Sequence, residues 1–157
     1  MARLIKKANN LAEEQEKFIQ ECKESGKFND KQMEEIRKGF ENGLTIEQVK
    51  VYADPKFDWE QMKGIRKGFE YGLSMEQVKL YTDPKFSYSQ MEEIRKGFVN
   101  GVTMEQIKFY ADPKFDWKQM REMRKDFENG ATIEEIKSYY NLASRKNKLN
   151  KIARRLK

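Results

Sequence analysis

The sequence predicts an all-α protein, a solenoid of four helical hairpins with an N-terminal cap helix and a basic C-terminal helix. Three observations lead there. A string of the form KFNDKQMEEIRKGFENGLTIEQVKVYADP begins at Lys27 and returns at Lys56, Lys85 and Lys114, one copy every 29 residues, a period found in helical repeat arrays. Each copy holds two segments with apolar residues at helical spacing, each opened by its own capping signal. The first segment closes on a glycine in every copy, and the second closes on Asp-Pro in copies one to three.

Residues 1–26 come first. Leu4, Ile5, Ala8, Leu11, Ala12, Phe18, Ile19 and Cys22 form an apolar stripe on an otherwise polar helix. Copy one needs cover on its open side, so this segment is expected to cap the array. It has no uninterrupted apolar run, which argues against a signal peptide or a membrane span, and Glu13, Glu14 and Glu16 argue against a transit peptide.

Residues 27–141 carry the four repeats. In copy one Asn29 is placed to cap the first helix, with Gln32 closing the box and Phe28 stapled to Met33. Asp58/Gln61, Ser87/Gln90 and Asp116/Gln119 repeat that chemistry. Met33, Ile36 and Phe40 give a narrow buried stripe that ends at Gly43, with the same stop at Gly72, Gly101 and Gly130. A second box follows at once, Thr45 capping and Gln48 closing, and its helix is expected to bury Ile46, Val49, Tyr52 and Ala53. Asp54-Pro55 ends it. Such a hairpin is too small to bury its own face, so neighbours must stack.

Two positions vary with place in the array. The residue after the first cap is Trp59, Tyr88 and Trp117 in copies two to four but Asp30 in copy one. Near the end of the second helix stand Val51, Leu80 and Phe109, but Ser138 in copy four. These residues are therefore expected to meet between repeats as Val51 to Trp59, Leu80 to Tyr88 and Phe109 to Trp117. The rival reading is a row of exposed aromatics that stacks on nucleic-acid bases.

Copy four lacks the proline, because Ser138-Tyr139-Tyr140-Asn141 stands in its place. The last helix is thus free to run from Ile133 towards residues 142–157, where Leu142, Leu149, Ile152, Ala153 and Leu156 continue an apolar stripe, unless Asn141 breaks it. This tail carries Arg145, Lys146, Lys148, Lys151, Arg154, Arg155 and Lys157 and no acidic residue. The whole chain has 32 basic and 26 acidic residues, so the rest is close to neutral and the net charge of +6 sits in the tail.

Little in the sequence can carry catalysis. There is no histidine, the commonest general base and metal ligand. Gly39, Gly43, Gly68 and Gly72 belong to helices and caps and form no phosphate loop. Cys22 is the only cysteine; it lies on an apolar stripe, reads as a buried small side chain, and fits a reducing, cytoplasmic setting. A non-enzyme with no cofactor and no metal site is expected.

The binding candidates are cationic. Lys38, Lys67, Lys96 and Lys125 recur on the outer surface, and Arg37, Arg66, Arg95 and Arg124 recur beside the apolar stripe. Stacked helices would set such rungs roughly 10 Å apart, and a ladder of that kind can follow a phosphate backbone. The competing reading lets the arginines bridge neighbouring hairpins while the lysines solvate the surface, since Glu41, Glu70 and Glu128 lie within one turn of three lysines and Glu34 is placed to pair with Lys38. For the tail, the readings are a nucleic-acid arm, an amphipathic helix for an acidic surface, or a cap on the array with its charges in water.

The pattern F-D-W-x-Q-M-x-x-I-R-K-G-F-x-x-G-L-x-x-E-Q-V-K-x-Y-A-D-P, seen in Phe57-Asp58-Trp59-Glu60-Gln61-Met62 and Ile65-Arg66-Lys67-Gly68-Phe69, resembles tandem repeats of uncharacterised proteins of Gram-positive bacteria and their phages or mobile elements. The resemblance covers about residues 27–141 and leaves out the tail. It implies no established activity, but it does raise the expectation of an inhibitor of host machinery such as a CRISPR nuclease. The function expected is a monomeric scaffold that binds a protein or ribonucleoprotein, with membrane binding disfavoured. The alternative is direct, largely sequence-independent binding of DNA or RNA through the tail and the lysine ladder.

Overall fold

The computed structural model describes residues 1–141, apart from the side chains at 2–5, 7 and 8. The stripe residues Leu4, Ile5 and Ala8 and all of the basic tail, 142–157, thus lie outside the described residues. The described chain is all-helical, with no strand. A long helix α1 (Ala2–Glu24) leads into alternating long and short ones: α2 (Asp30–Glu41), α3 (Ile46–Tyr52), α4 (Trp59–Glu70), α5 (Met75–Lys79), α6 (Tyr88–Val99), α7 (Met104–Tyr110) and α8 (Trp117–Glu128). A ninth, α9, covers 133–141. Among the described residues no helix is long and apolar enough to cross a membrane.

The predicted caps form. Asn29, Asp58, Ser87 and Asp116 open the long helices and Thr45, Ser74 and Thr103 the short ones, each with the reciprocal glutamine bond of a capping box. The long helices stop at glycines in the left-handed region, as at Gly43 with φ 83°, where a Cβ would be strained. Asp54 then turns the chain, its carboxylate accepting from the Lys56 N–H at 3.0 Å.

The long helices pack in succession, α2 on α4, α4 on α6 and α6 on α8, while each short helix packs on the long one before it and α3 and α7 also reach the long one after. The core runs continuously through these joints. Ile36, Val49, Tyr52, Phe57, Met62 and Ile65 are fully buried, as are their counterparts Ile94, Ile107, Tyr110 and Met91. Tyr52 lies across Gly39, where an added Cβ would stand 1.9 Å from the hydroxyl; Gly68 and Gly97 face Tyr81 and Tyr110 in the same way.

The box glutamines have a second task that the sequence pattern hid. Gln32 donates its amide to the Phe57 carbonyl at 2.6 Å, Gln61 to Phe86 at 2.8 Å and Gln90 to Phe115 at 2.6 Å. Glutamate could close the box as well, but only an amide can accept from its own cap and donate to the next repeat.

Three expectations change. First, α1 covers copy one with its C-terminal half alone: Phe18 meets Phe40 edge-on at 6.1 Å and Cys22 is buried, whereas Leu11 is 49% exposed and Ala12 is open to solvent. Second, Phe109 packs edge-on against Phe127, at 6.1 Å, and Trp117 instead borders a groove beside Ser89 and Glu93 of α6. Aromatics at the start of a long helix meet the preceding long helix, as Tyr88 meets Gly64. Third, Ile46 and Ala53 are only half-buried.

Copy four departs where the sequence said it would. Without proline, α9 continues through Asn141, two positions past the register at which α3 and α7 end. Asp126 replaces the glycine that receives the tyrosine, and Tyr139 is left 65% exposed where Tyr52, Tyr81 and Tyr110 are 0%. Tyr140 takes over, tilting against Phe115 at 6.3 Å and donating to the Gln119 carbonyl at 3.5 Å.

Candidate binding surface

The joints between long helices are not alike. Between α2 and α4, Arg66 is buried and donates to Glu35 from Nε at 2.9 Å, while its other nitrogens reach Glu35 and Glu70. Glu70 is also held by the Asn42 amide at 2.7 Å. Between α6 and α8 the same quartet recurs: Arg124 donates to Glu93 at 2.9 Å and to Glu128, and Asn100 donates to Glu128 at 2.7 Å. Burial works against the arginine charges, but the carboxylate hydrogen bonds outweigh it and raise both guanidinium pKa values above their ordinary range. For Glu128, burial pushes the pKa up, yet Asn100 and Arg124 together hold it below the usual carboxyl value.

The middle joint, α4 to α6, departs at three of those positions together. Gly64 stands for Glu35 and Glu93, Tyr71 for Asn42 and Asn100, and Val99 for Glu70 and Glu128. Arg95 keeps its place and remains buried, but its guanidinium lies 4.7 Å from the centre of the Tyr71 ring and its nearest carboxylate is Glu92 at 3.6 Å on its own helix. Tyr71 is 59% and Val99 47% exposed. A quartet made of a buried Arg–Glu pair and a solvent-exposed Asn–Glu pair has thus been exchanged for an exposed Tyr–Val pair beside an arginine, at the middle of the row of long helices. Tyrosine and arginine are enriched among the residues that dominate protein interfaces, and both flanking joints hold without the exchange, although Gly64 itself packs closely against Tyr88 and Met91.

The cationic candidates divide. Lys38 is paired with Glu34 at 2.5 Å, as expected, and with Glu35 at 3.5 Å; Lys96 is paired with Glu92 at 3.4 Å and Glu93 at 3.6 Å. Among the described residues no carboxylate lies within ion-pair distance of Lys67 or Lys125; Lys63 and Gly64 stand one turn before Lys67, whereas Glu122 stands one turn before Lys125 without pairing with it. The expected partners Glu70 and Glu128 are instead taken by Arg66 and Arg124, whose reading as bridges between neighbouring hairpins agrees with the geometry. Arg145, Lys146, Lys148, Lys151, Arg154, Arg155 and Lys157 lie outside the described residues.

The aromatics at the helix starts are partly covered by cations. Lys31 lies 4.7 Å from the Trp59 ring centre, and Lys63 sits between Trp59 and Tyr88, 5.9 and 5.8 Å away. Trp59 and Tyr88 are half-buried and Trp117 is 39% exposed, so this row offers edges more than free stacking faces.

Burial and the neighbouring Glu21 raise the Cys22 thiol pKa, which disfavours the thiolate. Among the described residues no group of acidic or sulfur ligands is arranged to hold a metal ion. No family model, no curated protein and no solved structure matches the chain.

Proposed function

We propose that the chain is a non-catalytic helical solenoid, four hairpins with an N-terminal cap, that binds a protein or ribonucleoprotein. The observation that carries this reading is the middle joint, where Tyr71 and Val99 are exposed over Arg95 in place of the Asn-Glu-Arg-Glu quartets on either side. Tyr71 anchors the partner, and Lys67 and the basic tail add electrostatic attraction to any nucleic acid that the partner carries. The resemblance of the repeats to proteins of phages and mobile elements supports one role for such a scaffold, inhibition of a host defence complex such as a CRISPR nuclease.

The test is retention of a protein by the immobilised chain from bacterial extract, with and without nuclease treatment, compared between wild type and Tyr71→Ala. A partner held after nuclease by wild type and lost by Tyr71→Ala supports the reading. Equal retention by both chains rules out the Tyr71 anchor. Direct nucleic-acid binding is the second reading, favoured by the unpaired Lys67 and Lys125. It predicts that labelled DNA and RNA bind the purified chain with an affinity that falls steeply with salt and that Lys67→Glu with Lys125→Glu abolishes.

A further inference from the structure

At the two flanking joints one buried glutamate gathers two cations. Glu35 takes Arg66 from the next long helix at 2.8 Å and Lys38 from its own at 3.5 Å; Glu93 takes Arg124 at 2.9 Å and Lys96 at 3.6 Å. A second, solvent-facing glutamate, Glu70 or Glu128, closes the outer side of the same arginine from four residues further along its helix. Each of these buried guanidiniums thus meets two carboxylates, one inner and one outer.

The middle joint keeps both cations and loses both carboxylates. Gly64 removes the inner acceptor from Arg95 and Lys67 at once, and Val99 removes the outer one. Among the described residues Arg95 comes no closer to a carboxylate than 3.6 Å, from Glu92, which Lys96 also engages at 3.4 Å, and Lys67 has none in reach. Arg95 is nonetheless as deeply buried as Arg66 and Arg124, and a buried charge that no opposite charge bonds directly is costly to keep. The Tyr81 hydroxyl, buried beside Gly68 of α4 with no hydrogen-bond partner, shares the shortage.

We infer that the partner supplies the missing carboxylate: an Asp or Glu side chain of the bound protein docks on Arg95 in the outer place that Glu70 and Glu128 fill at the flanking joints, beside Tyr71 and with Lys67 as the second cation. This rests on the reading of Tyr71 as a protein anchor and gives that partner its chemistry. The approach is from the side of Val99, which is exposed and too short to reach Arg95 with an acceptor. The space over Gly64 is filled, with Met91 and Tyr88 3.3–3.5 Å from where a Cβ would stand. The chain itself uses a carboxylate in this place twice, and arginine holds that group through paired N–H donors. A phosphate backbone fits less well, since its row of charges would run past Glu92.

The experiment follows the Nε–Hε resonances of Arg66, Arg95 and Arg124 by NMR on the full chain as sodium acetate, or an oligothymidylate, is added at ionic strength held constant with chloride. Arg95 should shift saturably with acetate and not with the oligonucleotide, while Arg66 and Arg124, already bonded to Glu35 and Glu93, stay in place. Val99→Glu, which sets a carboxylate four residues after Arg95 as Glu70 follows Arg66, should weaken the response at least about tenfold in apparent Kd. Val99→Gln, of the same size without the charge, should keep it. An Arg95 resonance unmoved by acetate, an equal response in Val99→Glu, or an oligothymidylate shift as large as that with acetate would overturn the inference, the last by making this a site for nucleic-acid phosphate. None of these readouts needs the partner, so a failure here is distinct from equal retention of a protein by wild type and Tyr71→Ala, which would remove the anchor itself.

Discussion

Gly39→Ala sets two effects of opposite sign against each other at a single atom. Helix propensity alone says that this change, inside α2, should stabilise the protein by about 1 kcal/mol. An added Cβ would, however, stand 1.9 Å from the Tyr52 hydroxyl oxygen and 3.1 Å from a Val49 methyl. The Tyr52 ring is fully buried and its hydroxyl donates to the Glu35 carbonyl at 3.2 Å, so it cannot yield without losing that bond. Overpacking costs about 1–3 kcal/mol and the lost hydrogen bond about 1 kcal/mol. The net loss is about 2 kcal/mol, or roughly 4–8 °C in Tm for a chain of this size. Circular dichroism melts of Gly39→Ala, Tyr52→Phe and the double variant measure it. Removing the hydroxyl vacates the space that the Cβ needs, so the double variant should be more stable than Gly39→Ala, with a coupling of about 1–2 kcal/mol. A Tm for Gly39→Ala at or above wild type would refute the interlock.

Two further outcomes are expected. Tyr81 has a buried hydroxyl with no hydrogen-bond partner, whereas Tyr52 and Tyr110 donate to Glu35 and Glu93 carbonyls; Tyr81→Phe should therefore leave Tm unchanged or raise it, while Tyr52→Phe and Tyr110→Phe each cost about 1 kcal/mol in thermal melts. The lowered pKa of Glu128 means that its contribution is present in full above the ordinary carboxyl value and fades as pH falls through the lower folded-state value. Stability should thus drop below about pH 4.5, and Asn100→Ala, which removes one of the causes, should make that drop shallower in melts across pH 3–6.

Most of the fold was legible in the sequence because its signals are local. Asn29 with Gln32, Thr45 with Gln48, Gly43 and Asp54-Pro55 each act within one turn, and every one behaves as its residue type dictates. What escaped was anything that depends on which neighbour is met. Phe109 and Trp117 were rightly read as sensitive to position in the array, but their partners follow from how far along each helix the next one crosses, and period alone does not give that. Leu11 lies on the same stripe as Cys22, yet α1 outruns the helix that it covers.

The candidate surface was missed for a different reason. Lys38, Lys67, Lys96 and Lys125 drew notice because they are constant, and constancy across repeats here reports packing and solvation; two of the four are tied up in ion pairs. The informative positions are those that change together. Gly64, Tyr71 and Val99 each look like drift when read along the chain, and only the contacts of Arg66 and Arg124 show that their counterparts form one quartet. Aligning the copies against one another and asking which departures coincide would have found them.

The triple substitution Gly64→Glu/Tyr71→Asn/Val99→Glu rebuilds the middle joint in the form of its neighbours, restoring a carboxylate to Arg95 and removing the apolar pair. Thermal melting and partner retention should be measured on this variant together. The expected result is a Tm equal to or above that of wild type with partner retention lost, which would place the departure of this joint in the service of binding. Retention unchanged in a variant of undiminished Tm would contradict the central claim that Tyr71 and Val99 form the recognition surface.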